Sequence, residues 1–263
     1  MSDLSKFSAN TRVYSVWTVL FILALLAWIP TFLQTFSMLS LSASMSGTMG
    51  LSLVPFLLFW MVMMTAMMFP ALAPVASRRY TRFCEQTSRS VAWSRMVVFL
   101  LGYLLVWGLF GLPVFLLVQL GDQLMLHSSG TVLGLEIGLL VAIGLYQMTP
   151  LEKRYLAHCH PAPGCCSLES LSTNSLCASM GEGLSHGLSC LGCCGALMLV
   201  MVVVGVMNLP WMVLITLLVF LEKVWQHGER LSFFVGFGLL IFAALALAQP
   251  ALLPSFSSTF LAS

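Results

Sequence analysis

The sequence predicts an all-α protein: a polytopic helical membrane bundle of about seven transmembrane helices, within a range of six to eight. Three observations predict it. Apolar residues make up 59% of the chain and charged residues 8%, with a mean hydropathy of +0.99, which is more apolar surface than a soluble core needs. The apolar residues come in runs of spanning length separated by short polar segments, the pattern of repeated bilayer crossings. One segment, residues 77–95, gathers Arg78, Arg79, Arg82, Arg89 and Arg95 against the single acid Glu85 and so marks an inner side. The chain reads as one integral membrane domain over residues 1–263, with the lipid bilayer as its first partner. A net charge of +2, with no basic stripe among interleaved aromatics, argues against a nucleic-acid partner.

Taken in order, residues 1–13 are polar, with Lys6 and Arg12, and are expected on the cytoplasmic side. The first span is predicted over 14–36, too long and without the small-residue pattern of a cleavable signal peptide. Residues 37–50 form an uncharged exterior loop in which Met38, Met45 and Met49 make either a thioether patch or scattered methionines. The second span, 51–76, places Met61, Met64 and Met68 within about 60° of one another on a helix. Its Pro70 and Pro74 predict a kink or early unwinding. After the Arg-rich cytoplasmic segment come a third span at 96–120, bent at Pro113, an exterior loop at 121–130, and a fourth span at 131–149.

Residues 150–183 are the longest polar stretch and are expected as a cytoplasmic loop rich in Cys and His. His158, Cys159, His160, Cys165 and Cys166 occupy nine of its residues, and Pro161, Pro163 and Gly164 let the chain turn between the two groups. The fifth span, 184–207, carries His186, Cys190, Cys193 and Cys194 within an arc of about 100°. Gly183 and Gly187 form a small-xxx-small pair that would let a neighbouring helix approach closely. A turn at Asn208-Leu209-Pro210 leads to a short sixth span at 211–222, with Lys223 able to snorkel at its inner end. A seventh follows at 231–248.

A lone cysteine in a buried helix is a small hydrophobe, but three cysteines and a histidine on one face are a different arrangement. Thiolate, thioether and imidazole favour soft ions, Cu(I) first and Zn(II) second, over oxygen-seeking Mg and Ca. Coordination also removes the cost of a thiolate buried in an apolar bundle. The expected metal residues are therefore His186, Cys190, Cys193 and Cys194, with Met61, Met64 and Met68 lining an approach. His158, Cys159, His160, Cys165 and Cys166 would form a second group on the loop.

The expected function is a membrane protein that binds Cu(I) and transfers or transports it, with a metal-donor or metal-acceptor protein as partner. Assembly as an oligomer is compatible with this. Two readings from other classes stand beside it, a membrane thiol-redox enzyme and a metal-free assembly factor. No P-loop, GxSxG elbow or HExxH is present, no catalytic residue is assigned, and an enzyme is the lesser reading.

WMVMMTAMMFP at 60–70, GLYQMTPLEKRYLAHCHP at 144–161, HGLSCLGCCGALML at 186–199, VGVMNLPWM at 204–212 and the LEK that follows resemble a bacterial family. That family is known as predicted metal-binding integral membrane proteins, defined by a domain of unknown function. The resemblance covers about residues 55–225, with its motifs in the same order. It implies a multi-span protein of the bacterial inner membrane with a metal site carried by His186, Cys190, Cys193, Cys194 and Cys159. The chain departs from the pattern where the family commonly has Cys (here Tyr155), Arg (here His160) and Trp (here Gly195). If Tyr155 replaces a ligand, the loop group must be rebuilt from His158, His160 and the Cys165–Cys166 pair.

Overall fold

The structure, a computed structural model, describes residues 2–39, 52–127, 129–159, 175–205, 208–225 and 228–249. The described residues form eight helices: α1 (Ser2–Leu39), α2 (Leu53–Gln86), α3 (Arg89–His127), α4 (Ser129–Gln147), α5 (Pro150–Cys159), α6 (Leu176–Val204), α7 (Leu209–Val224) and α8 (Gly228–Ala248). Six of them, all but α5 and α7, are long and apolar enough to cross a membrane. The expected seven spans thus become six long ones and α7, whose 16 residues span about 24 Å against a hydrocarbon core of about 30 Å. Large apolar side chains such as Leu25, Leu33, Leu58, Phe234 and Leu247 face outward, as they do where lipid is the solvent.

Several segments expected as loops are helical. α2 runs unbroken through Pro70 and Pro74 to Gln86, and α3 begins at Arg89, so the arginines of the 77–95 segment stand on helix ends. α3 continues through Pro113 to His127 and takes up most of the expected exterior loop. α6 begins at Leu176, more than two turns before the predicted span, where Ser175 Oγ accepts from the Ala178 N–H (3.3 Å) and caps the first turn. These extensions are polar but contain no proline, so every backbone N–H remains available and the hydrogen-bond ladder continues past the apolar run.

Specific contacts fix how the helices run. α3 and α6 lie side by side in the same direction: a Cβ on Gly183 would strike the Phe99 carbonyl, and one on Gly102 would come within 2.7 Å of the Met180 carbonyl. Gly187 packs in the same way against Val106. The Gly183/Gly187 spacing therefore does bring a helix close, through backbone that no side chain separates. The Arg79–Glu182 ion pair ties α2 to α6 near the same end. α2 runs antiparallel to α3, anchored where the Trp60 indole N–H donates to the Trp107 carbonyl (2.9 Å). α4 and α8 are antiparallel too, with Gly144 and Gly236 in backbone contact and Ser232 Oγ donating to the Gln147 carbonyl (3.2 Å).

One consequence positions the site. α4 ends, α7 ends and α8 begins at a common level, and α5 caps it. α3 and α6 continue past that level: Arg89 lies fourteen residues before Tyr103, and Leu176 fourteen before Cys190, about 21 Å of helix in each case. Arg89 and Arg95 stand on this protruding part of α3, and Arg78, Arg79 and Arg82 on the end of α2 that runs antiparallel beside it.

Candidate metal centre

The centre sits in the middle of α6. Cys190, Cys193 and Cys194 are fully buried, and their three sulfurs all lie within 4.8 Å of one another. Spacings of three and four place Cys193 and Cys194 one turn beyond Cys190 on the same face, as the sequence requires. Cys193 Sγ is 3.3 Å from Cys194 Sγ and donates to the Cys190 carbonyl at 3.3 Å. From α5, buried Cys159 brings its sulfur to 3.2 Å from that of Cys193. These separations exceed a disulfide bond of about 2.05 Å, and the described cysteines are all free.

Two residues that the sequence did not mark out as partners complete the surroundings. Lys223, at the end of α7, is buried and donates from Nζ to Cys190 Sγ at 2.8 Å. It does not snorkel to the boundary but turns inward. Tyr103 of α3, also buried, holds its hydroxyl 3.2 Å from the same sulfur. A buried ammonium is a costly group unless paired, and a thiolate is its natural counter-charge. The charged dipeptide Glu222-Lys223, ending an otherwise apolar helix, was the available signal for Lys223. Tyr103 carried none, being one aromatic among many in α3.

The remaining expected residues divide into groups. His186 is buried one turn before Cys190, its ring stacked on Tyr103 and tilted against Phe99 (6.1 Å to each centroid), and lies outside the set of mutually close sulfurs. His158 is exposed on α5, with Nδ1 2.7 Å from the Arg154 carbonyl. His160, Cys165 and Cys166 lie outside the described residues, as do Met45 and Met49. Met64 and Met68 are fully buried, while Met61 is half-buried with its sulfur against Gly108 of α3. The Met61–Gly108 and Trp60–Trp107 contacts set a register in which Tyr103 falls level with Met64–Met68. The Tyr155 ring lies directly over Gly192, where a Cβ would collide with it. Tyr155 thus packs on the Gly192 side of α6, beside the residue that precedes Cys193, and is partly exposed. Tyr146 reinforces this edge, its hydroxyl donating to the Gly192 carbonyl (2.7 Å).

Three sulfurs gathered in an apolar interior, a fourth within reach and a cation on one of them can hold a soft, low-valent metal ion without water or oxygen ligands. Fold and site together define a class: an all-helical protein with membrane-length helices and a buried thiol centre suited to soft metals. Residues 57–246 match the family model described as PpoB2, copper chaperone, and the chain belongs to that copper chaperone family. The match begins in α2, ends in α8 and contains all four thiols of the centre. No curated protein and no solved structure matches the chain.

Proposed function

We propose that this protein is a copper chaperone of the bacterial inner membrane that holds Cu(I) on Cys190, Cys193 and Cys194 and passes it to a protein acceptor. The observation that carries the reading is the buried cluster of three sulfurs within 4.8 Å of one another. Cu(I) accepts two or three thiolates without further ligands, so the cluster suffices and His186 serves as packing beside it. Cys159 is the exchange ligand: it sits on the short helix α5 rather than in the rigid α3–α6 pair, and its sulfur already faces Cys193. Met64 and Met68, level with Tyr103, line the approach through the bundle.

The positive-inside rule assigns the protruding, arginine-bearing ends of α2 and α3 to the cytoplasm, and with them the N-terminus. The thiol centre then lies at the cytoplasmic boundary of the bilayer, where a partner can reach it. Anaerobic competition against a chromophoric Cu(I) chelator tests the function. One tightly held copper per chain, lost in the Cys190→Ser/Cys193→Ser double variant, is the expected result. A chain that binds zinc instead, or binds copper equally well without those thiols, overturns it.

A further inference from the structure

Beside the thiol centre lies a second polar group that the copper site does not use. Gln147 at the end of α4, Glu152 on α5, Glu222 at the end of α7 and Ser232 on α8 are all fully buried. None of the four carboxylate oxygens has a hydrogen-bond partner among the described residues, and neither has either atom of the Gln147 amide. The Ser232 hydroxyl, which faces Glu152, is committed to the Gln147 carbonyl. Glu222 feels the charge of Glu152, and two ionised carboxylates buried without partners in an apolar bundle would be a heavy cost. One proton carried by the pair removes most of it.

The charged groups facing the pair are few. Lys153 and Glu229 act on Glu152, while Lys223 and Glu152 act on Glu222. Burial pushes Glu152 up to about 7, with the nearby Ser232 hydroxyl opposing the shift, Glu229 adding to it and Lys153 opposing it. Lys223 is the link between the two sites. It is the next residue after Glu222 on α7, yet its ammonium is spent on Cys190.

We propose that Glu152 and Glu222 hold one proton between them and release it when copper takes Cys190 from Lys223. The proposal rests on Cys190 being a copper ligand. Before loading, the Cys190 thiolate is balanced by the Lys223 ammonium, and the carboxyl pair carries one proton and one negative charge. When Cu(I) bonds to Cys190, the sulfur's charge is neutralised by the metal and the buried ammonium loses its partner. The carboxyl pair then gives its proton to solution and becomes the counter-charge for Lys223. One positive charge enters as copper and one leaves as a proton, so the charge summed over Cys190, Lys223 and the carboxyl pair is unchanged; each further thiol that bonds copper gives up its own proton besides. By linkage the reverse holds: protonation of the pair returns Lys223 to Cys190 and favours release of copper to an acceptor.

The test counts protons released per Cu(I) bound at pH 7, in weak buffer with an indicator dye, by the full detergent-solubilised chain. The thiols of the centre release protons in every variant, so the difference between variants carries the result. The Glu152→Gln/Glu222→Gln double variant should bind copper at the wild-type stoichiometry and release about one proton fewer. An unchanged proton count at equal copper stoichiometry overturns the proposal while leaving the copper reading intact. Failure of the wild-type chain to bind copper overturns both. Should the double variant not fold, the infrared difference spectrum of wild-type protein decides: a protonated-carboxyl band that disappears on copper loading supports the shared proton, and its absence overturns it.

Discussion

Two sulfur-rich faces are legible in this sequence, the thioether stripe of α2 and the thiol face of α6, and the bundle treats them differently. Met64 and Met68 are as fully buried as the cysteines, yet the described residues give their sulfurs no polar partner, and Met61 fills the space above Gly108. The thiol face instead collects polar company: an ammonium at 2.8 Å, a phenol at 3.2 Å and a fourth thiol at 3.2 Å. Sulfur in an apolar helix is adaptable packing material by default. What separates a site from packing is that charged and polar groups accept the cost of burial in order to meet it. The thiol face meets that criterion.

Substitutions can break or sharpen this contrast. The largest effect should come from Cys190→Ser with Cys193→Ser, which removes two of the three clustered sulfurs. Cu(I) affinity measured by chelator competition should fall by more than the roughly 10–100-fold that loss of an outer partner costs. Lys223→Met leaves Cys190 without its counter-charge in the unloaded chain, so copper must displace a proton from that sulfur; affinity at pH 7 should fall by about tenfold and the loss should shrink as pH rises, with Lys223→Arg restoring part of it. In stability rather than binding, Gly183→Val drives a branched side chain into the Phe99 backbone. It should destabilise the α3–α6 pair by about 1–3 kcal/mol or more, read as a lowered midpoint of thermal unfolding in detergent.

A pH series sharpens the contrast from the carboxyl side. Glu152 is raised to about 7 in the folded chain from an ordinary value of 4.5, so its contribution to stability is fully present below about 4.5 and is lost as pH rises through about 7. Wild-type Tm should therefore drop between pH 5 and pH 8, by an amount on the order of several degrees, and Glu152→Gln should flatten that drop. The smallest effect belongs to the thioether stripe. Met64→Leu with Met68→Leu conserves volume and should cost under about 1.5 kcal/mol of stability. Copper stoichiometry should be unchanged and only the loading rate slowed. A loss of equilibrium affinity equal to that of the thiol variants would erase the distinction between the two faces.

Much of this was legible in the chain itself. Spanning runs carried the helical bundle, because lipid leaves the backbone few alternatives. The Cys190/Cys193/Cys194 face followed from helical periodicity, which holds for any unbroken helix. Cys159 was named from its neighbourhood of Cys and His, but its distance to Cys193 depends on how α5 folds back against α6. The same limit applies to Lys223. From the sequence it reads as a snorkelling lysine at a span's end, and only the antiparallel return of α7 along α6 turns it toward Cys190. Helix ends were misplaced for a related reason: the polar stretches at 77–95 and 176–183 have no hydropathy signal for helix, and they are helical because they pack on one another, as Arg79 and Glu182 do.

X-ray absorption at the copper edge of the anaerobically loaded, full-length protein tests the central claim most directly. Two or three sulfur neighbours at bonding distance are predicted, with that sulfur shell lost when Cys190 and Cys193 are serine. A first shell of nitrogen or oxygen, or a sulfur shell that survives both substitutions, would contradict it.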